Sequence, residues 1–230
     1  MSILENIKKV EEEIAASCAC YGRNAGSVRL MAVSKFQPKE AVKEAVEAGL
    51  TLFGESRMQE CACKFEERKT CFPNVELHFI GALQRNKAKK AALFADCVQS
   101  VDGERLVEAL GTAALGRETP LSILFELNSG EESKSGMRSE TELFNAVEAA
   151  LKFPSLKISG LMTMAPFVND EKKIRGAFCA LRENAVKLAA RYPKTDFSTL
   201  SMGMSGDFKW AIAEGSTLLR IGTAIFGERA

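Results

Sequence analysis

Val28-Arg29-Leu30-Met31-Ala32-Val33 is an apolar run that Gln37 and Pro38 bring to a stop, and it has the length and composition of a buried strand. Upstream, Ile3, Ile7, Val10 and Ile14 recur among Glu and Lys side chains, the stripe of an amphipathic helix over Ile3–Cys20. Downstream, strand-like runs recur at 52–54, 77–82, Cys97–Val101, Leu121–Leu127, 157–164, 199–204 and 218–223. Helical stretches fill the gaps at 39–48, 57–68, 87–94, 104–115, 140–152, 171–190 and 207–213. With the first run this makes eight strands, with helix-forming sequence filling the seven gaps between them. That alternation predicts a parallel sheet closed into a single (β/α)8 TIM-type barrel, with an extra N-terminal helix and one domain over residues 1–230. A doubly wound open sheet is the weaker alternative, because no GxGxxG turn follows the first strand.

Composition narrows the class. Thirty-one basic residues stand against thirty acidic ones, so the net charge of +1 gives no general drive toward nucleic acid or an acidic membrane. The opening residues carry Glu5, Lys8 and Lys9 where a secretion signal needs an apolar core, and no later run is long and apolar enough to span a bilayer. The expected location is the cytoplasm. Cys18 and Cys20, and Cys61 and Cys63, are spaced too closely for a structural zinc site, and His78 is the sole histidine, so reduced thiols are expected. Arg85, Lys87, Lys89 and Lys90 read as the solvated face of a helix rather than a nucleic-acid patch.

The residues that could carry chemistry lie at strand ends. Alternation puts Lys35 on the same face as Met31 and Val33, hence toward the barrel interior, where partial desolvation would lower its pKa and free the amine for Schiff-base formation. A rim lysine paired to a carboxylate explains this residue alone equally well. The last two strands add weight. Ser201-Met202-Gly203-Met204-Ser205 and Arg220-Ile221-Gly222-Thr223 bring small residues to the place where β/α barrels most often bind phosphate. Ser205 reads both as a helix cap and as a phosphate contact. An inward lysine on strand one beside a phosphate site on strands seven and eight describes a phosphorylated aldehyde held as an imine, and pyridoxal phosphate is the candidate.

The same stretches resemble a known family, the pyridoxal phosphate homeostasis proteins, single-barrel relatives of the alanine racemase amino-terminal domain. The matching segments are Met31-Ala32-Val33-Ser34-Lys35, Phe53-Gly54-Glu55, His78-Phe79-Ile80-Gly81-Ala82-Leu83-Gln84, Ser133-Lys134-Ser135-Gly136, Gly160-Leu161-Met162-Thr163-Met164, the Leu200–Ser205 stretch (200–205) and Arg220 through Gly227. The resemblance implies that Lys35 is the Schiff-base lysine, that Ser201, Arg220, Gly222 and Thr223 hold the phosphate, and that the protein binds and buffers the cofactor without robust turnover. Two departures stand out: Ser56 where the family has asparagine, which leaves its contact with the cofactor open, and Ala82 where proline is common.

Racemisation needs two opposed acid/base groups, and in alanine racemases the second is a tyrosine from a further domain. Tyr21 and Tyr192 end helices rather than strands, so the expectation is a non-catalytic carrier, possible recipients being pyridoxal phosphate-dependent apoenzymes; a racemase-like enzyme is the alternative. A sugar-phosphate aldolase using Lys35, with Glu55 as proton shuttle, is a further reading. His78 reads as a satisfied core or rim histidine. The glycine- and serine-rich stretch 128–139 reads as a loop beside the ligand, in which Lys134 could assist release, and a monomer is expected.

Overall fold

The computed structural model describes residues 2–131 and 135–227. Helix α1 (Ile3–Cys20) starts at Ser2, whose side chain accepts from the Glu5 amide while Glu5 reaches back to the Ser2 amide, a reciprocal cap that holds the first turn. Then follow β1 (Arg29–Val33), α2 (Lys39–Glu47), β2 (Leu52–Glu55), α3 (Met58–Phe65), α4 (Arg68–Cys71), β3 (Glu76–Phe79), α5 (Ala88–Phe94), β4 (Cys97–Val101) and α6 (Glu104–Ala113). The second half comprises β5 (Leu121–Leu127), α7 (Glu140–Ala150), β6 (Leu156–Thr163), α8 (Glu171–Arg191), β7 (Thr199–Ser201), α9 (Phe208–Ala213), β8 (Leu218–Ile221) and α10 (Thr223–Phe226). The strands pair in parallel in sequence order and β8 closes on β1, so the sheet is the closed eight-stranded (β/α)8 barrel that the alternation predicts.

Strand alternation sorts the core into layers. Ala32, Phe53, Leu77, Phe79, Val98, Phe125, Leu219 and Ile221 face the helices and build the main apolar cluster with them. Buried completely, side chains such as Phe53, Phe79 and Phe125 each contribute about 1.5–3 kcal/mol by leaving water. The inward-facing positions form two small apolar groups instead. Met31, Val33, Leu52 and Leu218 lie on the β8-β1-β2 side, and Cys97, Leu124 and Met162 on the β4-β5-β6 side. A chain of buried polar side chains, described below, runs between them. Helix α1 packs on α10, α9 and α2 and covers the outside of the barrel near its closure; Asn6 ties it down by donating to the Ile225 carbonyl at 2.9 Å.

Where the structure departs from the sequence reading, it does so at strand ends. β3, β7 and β8 stop at Phe79, Ser201 and Ile221, each two or three residues earlier than the apolar run suggests. Gly203 turns the chain out of β7 with φ +99°, and Gly222 ends β8 and starts α10, a short helix the sequence reading did not delimit. The single helix expected over 57–68 is two, α3 and α4, divided at Glu66 and Glu67. No helix of the described residues is long and apolar enough to cross a membrane, none of their His, Cys, Asp and Glu side chains cluster as a metal site, and the seven cysteines are free thiols.

Candidate functional site

At the carboxyl ends of the strands the barrel opens into a cavity of about 530 Å³, within the usual range for small-molecule sites. Five of the strands deliver residues to it. Val33 and half-buried Lys35 come from β1 and its end, Ile80 from the end of β3, Glu126 from β5, Met162 from β6 and Arg220 from β8. The loops add Ser56, Ser135, Met164, Met204, Ser205, Gly222 and Thr223. Because β1 and β8 are hydrogen-bonded neighbours, Lys35 and the Gly222-Thr223 start of α10 share one wall.

That wall is built for close approach. A Cβ on Gly222 would stand 3.2 Å from the Val33 carbonyl oxygen, so a side chain here would crowd β1. The first amides of α10 have no partner within the helix, as at any helix start, and the Ala224 amide already leans toward the Ser205 hydroxyl at 3.4 Å. Together with the Thr223 hydroxyl they form a donor-rich rim. Across the cavity, a Cβ on Gly81 would lie 2.2 Å from the Ser56 carbonyl oxygen, which fixes the backbone next to Ser56. Val33, Ile80, Met162 and Met164 supply apolar walls between the two polar edges.

Arg220 lies at the base, almost fully buried. It donates to the Ser201 hydroxyl at 2.8 Å and to the Thr163 carbonyl at 2.8 Å. Burial pulls its pKa down to about 10, which still leaves it a cation near neutrality. Ser201 does not line the cavity: its hydroxyl donates to Gln99 Oε1 at 2.6 Å and so sits one step below Arg220. The four residues of the expected phosphate set therefore occupy three levels, with Gly222 and Thr223 at the rim, Arg220 at the base and Ser201 beneath it.

The polar chain continues downward. Gln99 presents its Nε2 to His78 Nδ1 at 2.7 Å, and His78 Nε2 meets Glu76 Oε1 at 2.7 Å. With the Ser201 proton on Gln99 Oε1, Gln99 is the donor to Nδ1, and His78 carries its proton on Nε2 toward Glu76. Glu76 is held down at a pKa of about 2, first by the His78 hydrogen bond and then by Arg29. It lines a second cavity of about 460 Å³ at the opposite, amino-terminal face of the barrel. His78 is thus a satisfied interior histidine, as its sequence context suggests.

Two interior polar residues escaped the sequence reading, Glu126 in the cavity wall and Gln99 beneath it. Glu126 is buried, its Oε1 accepts from Ser135 Oγ at 2.9 Å, and burial raises its pKa. Gln99 is the link between the two halves of the polar chain. Each is a polar residue at an inward position of an otherwise apolar strand run, which is the signal that would have found them. Glu55, by contrast, faces away from the cavity. It is fully buried on the α3 side, where its Oε1 meets Lys64 Nζ at 2.9 Å, so it is not placed as a proton shuttle for Lys35. Tyr21 and Tyr192 do not line the cavity, and the Tyr192 hydroxyl is engaged with Glu148 at 3.1 Å. Ser135 to Met137 are tied to β5, with the Met137 amide donating to Glu126 and the Asn128 amide to Met137; Lys134 lies outside the described residues. A larger trough of about 990 Å³, lined by Arg85, Asp102, Arg105 and Glu142 among others, lies outside this constellation and contains none of the expected site residues.

Residues 11–230 match the family model described as the alanine racemase N-terminal domain. A pyridoxal phosphate homeostasis protein of Vibrio cholerae is 42% identical over 231 residues, covering 99% of this chain and 97% of the relative. Among solved structures, a protein of unknown function from Bifidobacterium adolescentis superposes with a TM-score of 0.90 at 35% identity, covering 97% of this chain and 94% of that one. PipY of Synechococcus elongatus, solved with pyridoxal phosphate bound, gives 0.81 at 34% identity over 93% of this chain and all of that one. With a family model over residues 11–230 and identity at this level along nearly the whole of both chains, the chain belongs to the pyridoxal phosphate homeostasis proteins of the alanine racemase N-terminal domain family.

Proposed function

We propose that the protein binds pyridoxal phosphate in the carboxyl-end cavity and serves its homeostasis by holding and handing on the cofactor. The observation that carries this reading is that Lys35 and the Gly222-Thr223 rim share one wall, with the Arg220 cation at the base and apolar sides between. The donor set suits the group: an amine for its aldehyde, small residues and helix-start amides for its phosphate, and a cavity that admits a flat ring. Gly222, Thr223 and Ser205 hold the phosphate, Lys35 anchors the aldehyde carbon as a Schiff base, and Arg220 faces the cofactor from below. Ser201 acts through Arg220. When bound, the group supplies an electron-withdrawing ring and a reactive carbon–nitrogen bond.

Several features support a carrier over a racemase. Two-base racemisation needs a second acid/base group opposite the lysine, and both tyrosines are placed away from the cavity. Glu126 is titratable and lines the cavity, but it is hydrogen-bonded to Ser135 rather than aimed at an open face. The recipients in this reading are apoenzymes that take the cofactor, and the site is one domain of one chain. Absorbance between about 300 and 500 nm is the test, the range in which a lysine-linked form of the cofactor absorbs. Wild type mixed with pyridoxal phosphate should show a band that Lys35→Ala lacks, without interconverting amino acid enantiomers at an enzyme-like rate. A colourless wild type overturns the cofactor assignment, and fast Lys35-dependent racemisation overturns the carrier role.

A further inference from the structure

Lys35 sits between two residues held with unusual tightness, and neither restraint comes from the barrel's strand ladder alone. On the preceding side, Ser34 is fully buried; its hydroxyl donates to Glu55 Oε1 at 2.7 Å and its carbonyl accepts from Lys64 Nζ at 2.7 Å. On the following side, Phe36 adopts φ +66°, the one positive φ outside glycine among the described residues. Its amide donates to Glu60 Oε2 at 2.7 Å, and the Arg57 guanidinium stacks 4.6 Å over its ring. A β-carbon-bearing residue is strained in this region and stays there only when its surroundings hold it.

Both restraints converge on α3. Lys64 Nζ bridges the Ser34 carbonyl, Glu55 at 2.9 Å and Glu60 at 3.3 Å, which accounts for all three of its protons. Glu60 takes the Phe36 amide on the same oxygen that faces Lys64. One helix face, two turns long, therefore grips the peptide units on either side of Lys35 while leaving its side chain in the cavity. Neither Glu60 nor Lys64 lines that cavity.

We propose that Glu60 and Lys64 are positioning residues for Lys35: by clamping Ser34 and Phe36 they hold the backbone twist that aims the amine at the ligand's aldehyde. The inference rests on the reading of Lys35 as the linking lysine. In that step the Lys35 nitrogen lone pair adds to the aldehyde carbon, and loss of one water leaves the carbon–nitrogen double bond; hydrolysis returns the water and frees the amine. A clamp that sets the direction of the amine alters this step and leaves phosphate recognition, made on the far side of the same wall, alone.

The test uses the full chain and two ligands. Pyridoxal phosphate reports the covalent link by absorbance and by borohydride trapping, whereas its alcohol counterpart, pyridoxine phosphate, occupies ring and phosphate sites but cannot link. Loss of a charge-assisted hydrogen bond in Glu60→Ala should weaken the link about tenfold. Affinity for the alcohol should change less than about twofold. Glu60→Gln keeps an acceptor for the Phe36 amide and should restore most of the loss. Lys64→Met combined with Glu55→Gln, which leaves no unpaired buried charge, should reproduce the split shown by Glu60→Ala. Linkage unchanged in Glu60→Ala, an equal loss for both ligands, or a failure of Glu60→Gln to rescue would each overturn the clamp. A wild type that binds the alcohol tightly yet never links the aldehyde would overturn the Lys35 reading itself, and the clamp with it.

Discussion

Replacing Lys64 with methionine should destabilise the protein strongly at neutral pH and much less in mild acid. Lys64 is buried and pairs with Glu55, which is fully buried. Methionine fills a similar volume but leaves the Glu55 carboxylate without a cation. Breaking a buried pair in this way costs about 3–5 kcal/mol. Burial already raises the Glu55 pKa above its ordinary 4.5 against the lowering pull of Lys64, so removing Lys64 raises it further. The sign follows from proton uptake. A carboxyl whose folded pKa is raised takes up its proton in the folded state first, so the folded state gains as pH falls, until the pH reaches the unfolded value. The cost of the substitution is therefore fully present above the variant's Glu55 pKa and shrinks as pH falls toward 4.5. Glu60, held below 4.5 partly by Lys64, loses that support equally at every pH above 4.5 and adds a pH dependence of its own only below that value. Urea unfolding of wild type and Lys64→Met at about pH 8 and about pH 5.5 separates the two. The difference in stability should be several kcal/mol at the higher pH and clearly smaller at the lower, and Glu55→Gln in the same background should recover most of it. A penalty below about 1 kcal/mol, or one that is equal at both pH values, would refute the claim that a charged Glu55 depends on Lys64.

Two other outcomes follow from the polar chain in the barrel interior. Gln99→Leu strands the Ser201 hydroxyl proton and His78 Nδ1 in a buried setting, at about 1–3 kcal/mol for each unpartnered group, and urea unfolding should show a loss of that order. Glu76, depressed to about 2 by His78 and Arg29, contributes stability that is present above 4.5 and lost as pH falls toward 2, so Glu76→Gln should flatten the acid-unfolding profile across that window.

Much of the fold was legible because parallel strands covered on both faces are short continuous apolar runs, and here eight of them alternate with helix-forming sequence. What blurred was where each strand stops. Ile80-Gly81-Ala82 and Gly222-Thr223 are as apolar or small as the strands before them because they line the cavity, as does Met204, while Met202 packs into the helix-side core and Gly203 lies close against Ala211 and Leu219. The division between α3 and α4 was hidden for a different reason: Glu66 and Glu67 favour helix, and Phe65 and Phe72, on either side of the break, are both buried in the core through contacts distant in sequence. Lys35 was found because alternation from Met31 and Val33 needs no knowledge of other strands. The clamp around it was not, since the partners of Ser34 and Phe36 lie up to thirty residues away on α3. Ser201 was read as a ligand contact from its neighbours in sequence, whereas its depth is set by Gln99 on the far side of the barrel.

The interior chain also explains how a guanidinium can sit under the cavity with its charge still available. A buried arginine usually rests on a carboxylate, which cancels it. Here the hydrogen bonds of Arg220 end on two neutral oxygens, Ser201 Oγ and the Thr163 carbonyl, while Glu126 and Asp207 act on it only through space. Ser201, Gln99 and His78 then pass donors in one direction, each giving its proton to the next, until the sequence ends on the Glu76 carboxylate at the opposite face. Three aligned neutral dipoles separate the cation from its anion, stabilising both without bringing them together. The two inward apolar groups stay apart because this polar chain passes between them. A barrel filled by aliphatic side chains alone would pack more simply, but nothing in it would hold a positive charge at the base of a cavity shaped for an anionic, aldehyde-bearing ligand.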